Sequence, residues 1–178
     1  MKDNVFLENQ KKPELADYMN FDIKGRENLG TEIPLSVYRL LEYSIREELS
    51  DRYGKEIQME IFRGAGRKAG AYFAEKLLDT ELAYDEFMAQ LQAKMAELKI
   101  GVLRIEKHEE ESGTIILTVS EDADCSGLPI LGEYVCNFDE GLIAAVLSVY
   151  TGRYYVVEEI DCWASGDRVC RFRAEIKE

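Results

Sequence analysis

Four side chains in the stretch 136–172 set the strongest constraint on this chain. Cys136, Glu159, Cys162 and Cys170 fall at the spacing C-x22-E-x2-C-x7-C. After Cys136 the apolar residues Phe138, Leu142, Ala145, Val146 and Val149 recur at helical spacing, and Gly152 stops the run. Asn137-x-x-Glu140 resembles a capping box at the start of that helix. YYVVEEID (154–161) reads as a strand, ASGD (164–167) as a turn and RVCRFRAEI (168–176) as a last strand. Cys170, Phe172, Ala174 and Ile176 share one face of that strand, and Arg171, Arg173 and Glu175 the other. Cys136 then sits at a helix start, where the helix dipole favours a thiolate. Glu159 shares a strand face with Tyr155, Val157 and Asp161. Cys162 ends that strand, and Cys170 lies across the hairpin from it.

One helix start and one hairpin therefore bring four donors together. Thiolates with a carboxylate suit zinc, and four protein ligands leave no position for water, which marks a structural site. Its binding energy becomes folding energy for this half of the domain. General metal chemistry equally admits a four-thiolate site in which Cys125, in the loop before Cys136, replaces Glu159. The spacings match no common iron–sulfur run. Without a metal, the same residues are small buried hydrophobes, with Glu159 in a salt bridge.

Composition narrows the function classes. The 178 residues carry 35 Asp and Glu against 22 Lys and Arg, a net charge of −13, with no basic run longer than two residues. Nucleic-acid binding rests on phosphate neutralisation by Lys and Arg, so no nucleic-acid partner is expected. Anionic lipid is disfavoured for the same reason. No apolar run is long enough to span a membrane, and the first residues lack a signal-peptide core. The expected location is cytoplasmic, where thiols stay reduced and serve as ligands rather than disulfides. The single histidine, His108, argues against His-rich metal sites and a His-based catalytic triad.

Residues 1–33 read as a polar N-terminal arm with scattered apolar anchors, Phe6, Leu7, Leu15, Tyr18, Met19 and Phe21. Residues 34–178 read as one domain. Pro34 opens a helix with Val37, Leu41, Ile45 and Leu49 on its core face, Arg39, Glu42, Arg46 and Glu47 on a solvated face, and Gly54 as its stop. Residues 59–78 form a second helix whose Gly66 and Gly70 stack on one bare side. Gly64-x-Gly66-x-x-x-Gly70 superficially resembles a dinucleotide phosphate loop, but its spacing is off by one and no second βα unit follows. Close helix packing explains it better. Residues 83–98 form a third helix with an apolar stripe of Tyr84, Phe87, Met88, Leu91, Met95 and Leu98. Val102–Lys107 and Thr114–Ser120 alternate as a hairpin, with His108 at its exposed tip. The order predicts an α+β fold: an antiparallel sheet covered on one side by helices, with a zinc-clipped C-terminal hairpin.

Cys136-x-Phe138-x2-Gly141, Glu159-x2-Cys162, Gly166-Asp167 and Cys170-x-Phe172 together resemble the C-terminal signature of the 4-vinyl reductase, or hydrocarbon-binding, domain family. The glycine-and-alanine helix around Gly64–Gly70 resembles that family's too, so the likeness covers roughly residues 36–176. The resemblance implies a fold similar to vesicle-tethering transport-particle subunits and a homodimer formed through N-terminal helices. It implies a structural zinc held by Cys136, Glu159, Cys162 and Cys170, which leaves Cys125 out. It further implies a small hydrophobic or aromatic ligand between helices and sheet. Candidate lining residues are Tyr72, Phe73, Phe87, Leu91, Tyr134 and Trp163. No flavin or nicotinamide fingerprint and no catalytic constellation accompanies these residues, so a sensor acting through a partner protein is expected rather than a reductase. A carrier in tetrapyrrole or cofactor metabolism and a ligand-free interaction scaffold are the alternatives.

Overall fold

Alternating apolar residues build a four-stranded antiparallel sheet in the order β1-β2-β4-β3. The strands are β1 (Val102–Glu109), β2 (Thr114–Ser120), β3 (Tyr155–Asp161) and β4 (Cys170–Ile176). In this computed structural model residues 13–19 and 30–177 are described. The chain divides into two units, Met1–Ile33 and Pro34–Glu178. In the first, a short helix α1 (Leu15–Tyr18) leaves Leu15, Tyr18 and Met19 exposed. Phe6, Leu7 and Phe21 lie outside the described residues.

The second unit holds the sheet and four helices: α2 (Leu35–Tyr53), α3 (Lys55–Leu77), α4 (Tyr84–Glu97) and α5 (Asn137–Thr151). Gly54 separates α2 from α3 at φ +84°, and Gly152 ends α5 in the left-handed region at φ +68°. One sheet face is the core. Leu103, Ile115, Leu117, Val119, Val157, Cys170, Phe172 and Ala174 are buried there with Phe87, Met88, Leu91 and Met95 of α4 and Leu142, Val146 and Leu147 of α5. The other face is a charge ladder. Arg171 pairs with Glu106 at 2.8 Å and with Asp161, and Arg173 pairs with Glu158 at 2.6 Å.

Gly66 and Gly70 do what a bare helix face permits. A Cβ on Gly66 would lie 2.0 Å from the Phe138 carbonyl oxygen, and one on Gly70 would lie 2.3 Å from that of Leu142. Gly141 answers from α5, where a Cβ would lie 2.1 Å from the Arg63 carbonyl oxygen. The backbones of α3 and α5 meet directly, which only glycine allows. Gly64 has nothing near it and is no part of this contact.

Two sequence expectations invert. On α2 the apolar residues Val37, Leu41 and Ile45 are exposed, and Glu42 and Arg46 are buried. Helical periodicity identifies the stripe but not which side faces the rest of the domain. The polar face docks because the loop opposite it is lined by carbonyls and carboxylates. At the first hairpin, His108 is not at the tip. It lies within β1, paired with Ile115 and half-buried. A register shift between Ile105 and Lys107 moves the inward face by one residue, from 107 to 108.

Candidate functional site

The four cysteines come from four places. Cys125 sits in a turn closed by the Ser126 N–H on the Asp122 carbonyl at 3.1 Å. Cys136 is the N-cap of α5. Cys162 ends β3 and starts a single 3₁₀ turn, Trp163–Ser165. Asp167 closes that turn by accepting the Cys162 N–H at 3.2 Å and the Ser165 hydroxyl at 2.6 Å, and Gly166 takes the φ of +112° that the turn requires. Cys170 begins β4. The loop before α5 is tied to the turn because the N–H groups of Leu131 and Gly132 both donate to the Ala164 carbonyl, at 2.7 and 2.9 Å.

All four sulfur atoms lie within 4.8 Å of one another, and all four residues are buried. Cys125 is 3.1 Å from Cys170, Cys136 is 3.5 Å from Cys170, and Cys136 is 3.9 Å from Cys162. Zn–S bonds of about 2.3 Å in a tetrahedron place sulfurs about 3.8 Å apart. The donor chemistry and the spacing both fit such an ion. Unaided, the cluster cannot ionise freely. Hydrogen bonds from the other three thiols, Cys125 foremost, hold Cys162 well below the usual thiol range. The surrounding thiols push Cys136 up, again with Cys125 as the largest cause.

Glu159 stands outside this mutually close set. Its Oε2 accepts the Cys136 N–H at 3.0 Å, and its Oε1 is buried without a partner. Burial first, then the neighbouring Cys162, pushes its carboxyl up to about 9. The expected Asn137 cap is not formed, because Cys136 occupies the N-cap and no side chain caps it. Glu140 instead cross-links three elements, accepting the Glu159 N–H at 2.8 Å and Arg63 Nε at 2.5 Å. Asp161, expected beside Glu159, turns to the Arg171 side through a register shift between them.

The inner face of α2 grips the loop that carries Cys125. Tyr38 donates to Asp124 Oδ1 at 2.5 Å, and Tyr43 to the Asp124 carbonyl at 3.0 Å. Arg39 donates to the carbonyls of Ala123 at 2.8 Å and Ser126 at 2.7 Å. Arg46 bonds Glu42 at 2.7 Å and lies over the Phe62 ring.

The six candidate lining residues do not surround one space. Phe73, Phe87 and Leu91 are buried in the core, and Tyr72 is half-buried on α3. Tyr134 and Trp163 are on the surface near the cysteines, donating to the carbonyls of Ile160 and Leu128. A different cleft, of about 450 Å³, opens between α4, the β1–β2 hairpin and β3, lined by Tyr84, His108, Gly113, Arg153 and Tyr155 among others. Tyr84 stacks on His108 with centroids 4.3 Å apart, and Phe87 stacks on Tyr150 at 3.8 Å behind them. The Tyr84 hydroxyl oxygen is buried without a partner, and burial pushes its pKa up to about 12. Tyr84 is legible in the α4 stripe. His108 is not, because only the bulge turns it inward.

With this geometry in place, similarity to known proteins decides the family. The vinyl-4-reductase domain matches residues 115–176. An uncharacterized protein of Methanocaldococcus jannaschii is 32% identical over 164 residues, which is 92% of this chain and 80% of that protein. The chain belongs to the vinyl-4-reductase domain family. Among solved structures, this vinyl-4-reductase domain is similar to the phenol-responsive sensory domain of the transcription activator PoxR with phenol. The TM-score there is 0.64, at 15% identity over 81% of this chain and 75% of that one. A vinyl-4-reductase family protein from Methanocaldococcus jannaschii matches with a TM-score of 0.53, at 17% identity over 84% of this chain and 85% of that one. Trafficking protein particle complex subunit 3 from Naegleria fowleri, covalently bound to palmitic acid, matches with a TM-score of 0.64, at 12% identity over 81% and 95%. The fold is thus the α+β fold of transport-particle subunits. Among the described residues no helix is long and apolar enough to cross a membrane.

Proposed function

We propose that this vinyl-4-reductase domain is a binding and sensing module for a small hydrophobic or aromatic molecule, braced by a structural zinc ion and acting through a partner protein. The cleft beneath Tyr84 carries this reading. It is walled by aromatic rings and holds one buried hydroxyl with no partner, which suits a flat apolar ligand with a single hydrogen-bonding group. The likeness to a phenol-responsive domain supports the same reading. The closed donor set at the cysteines supports a structural rather than catalytic ion, and so a binding module rather than an enzyme.

For the zinc, Cys136, Cys162 and Cys170 are common to both ligand sets considered. The mutual closeness of the four thiols supports Cys125 as the fourth ligand, with Glu159 beside it. The partnerless Glu159 Oε1 favours the set implied by the family signature, Cys136, Glu159, Cys162 and Cys170, as the second reading. The exposed stripe Val37, Leu41 and Ile45 on α2 supports a homodimer in which a second copy covers it. The same helix grips the Cys125 loop, so the proposed dimer surface and the metal clip share one rigid element. Output to a partner protein passes through that element.

The test of function is binding. Mass spectrometry of material extracted from the purified protein, with displacement of an apolar fluorescent dye, reads occupancy. Tyr84→Phe should weaken a hydroxyl-bearing aromatic such as phenol about 5- to 10-fold relative to toluene, the loss of one hydrogen bond. Equal effects on both compounds, or no dye binding at all, would sink the reading and favour a ligand-free scaffold. A tetrapyrrole-coloured preparation would favour a carrier.

A further inference from the structure

Beside the thiols lies a second convergence that the zinc clip does not use. Asp122, Asp124 and Asp139 are each at most 3% exposed. Asp122 Oδ1 accepts the N–H groups of Asp124 at 2.6 Å and Cys125 at 3.4 Å, which fixes the carboxylate in place. Oδ2 of Asp122 and Oδ2 of Asp139 are buried with no hydrogen-bond partner. Arg46 approaches only Asp124, at 3.9 Å, and Arg39 is spent on carbonyls. Among the described residues Asp122 and Asp139 make no ion pair. A lone buried carboxylate costs several kcal/mol. Burial pushes both carboxyls up, Asp122 to about 6 and Asp139 well above the usual range.

A ligand oxygen of each aspartate and the sulfur of Cys136 lie within 4.8 Å of one another. Metal–oxygen bonds of about 2.1 Å and a metal–sulfur bond of about 2.3 Å place such atoms about 3.5 Å apart, a small contraction from this arrangement. We propose that Asp122, Asp139 and Cys136 hold a second zinc ion, joined to the first through the Cys136 thiolate. Cys136 belongs to both donor sets, and a thiolate sulfur has lone pairs for two metals. A thiolate among the donors selects zinc over magnesium or calcium, which take oxygen alone. Three protein ligands leave the second ion a fourth position, which the first ion lacks. The inference rests on the zinc reading above through Cys136 alone.

Plasma mass spectrometry of the full chain, produced with zinc and purified without chelator, counts the ions. The expected result is two per chain in the wild type and one in Asp122→Asn and Asp139→Asn. Cobalt-loaded wild type and variants should share the same thiolate-to-metal absorption band. One zinc in the wild type, or two that survive both substitutions, overturns the second ion and leaves the first standing. A proton shared between the two carboxyls predicts that single-zinc count, with Asp139→Asn melting no lower than wild type. No zinc in the wild type overturns both sites. Loss of both ions from a variant that keeps its near-ultraviolet circular dichroism also counts against the assignment. The wild-type count stands even if a variant fails to fold.

Discussion

Cys125 and Glu159 compete for one role, and the difference between them is a matter of reach. Cys125 Sγ stands 3.1 Å from Cys170 Sγ, whereas Glu159 is held back by the Cys136 N–H on its Oε2. In the proposed four-thiolate site Cys125→Ser should abolish the thiolate-to-metal absorption of the cobalt-loaded protein. Glu159→Gln should keep that spectrum and weaken metal affinity about 10- to 100-fold, the usual effect of losing a residue that orients a ligand. The reverse pattern would restore the glutamate set. Spacing in the sequence could name Cys136, Glu159, Cys162 and Cys170, because each sits at the end of a recognisable element or on its inner face. It could not rank Cys125, which lies in an irregular loop whose path is set by Arg39, Tyr38 and Tyr43 of a helix more than 80 residues away in sequence.

Helix pairing was legible where it depended on residue type. Gly66 and Gly70, four apart on one face, announce a close approach, and Gly141 supplies the partner. Gly66→Ala should destabilise the domain by about 1–3 kcal/mol or more, since a carbonyl oxygen occupies the space of the new methyl group. Gly64→Ala, two residues away and open, should be neutral or stabilise by up to about 1 kcal/mol. Urea midpoints at constant slope read both, and equal shifts would contradict the direct backbone contact. The orientation of α2 was not legible. Its apolar stripe is real, but a single chain offers that stripe no cover, while its polar side finds the acceptor-rich loop 121–126. Alternation located β1 yet placed His108 wrongly, because a bulge adds one residue without any glycine or proline to mark it.

At the scale of the molecule, helices on one sheet face and a charge ladder on the other agree with the order of elements read from the sequence. What covers α2 depends on association, which periodicity within one chain cannot express. Leu41→Glu should convert the proposed dimer to monomer, halving the mass by light scattering while zinc content stays unchanged. A wild-type monomer at tens of micromolar would refute the dimer. Finally, the strand order leaves β1 and β3 as the two outer strands, and each is interrupted by a bulge, between Ile105 and Lys107 and between Glu159 and Asp161. The bulges that re-aim His108 and Asp161 also break the straight row of N–H and C=O groups on which another chain could template a strand. Self-association is thereby barred along the sheet and left to the helices, so a rise in concentration should yield discrete oligomers rather than fibres.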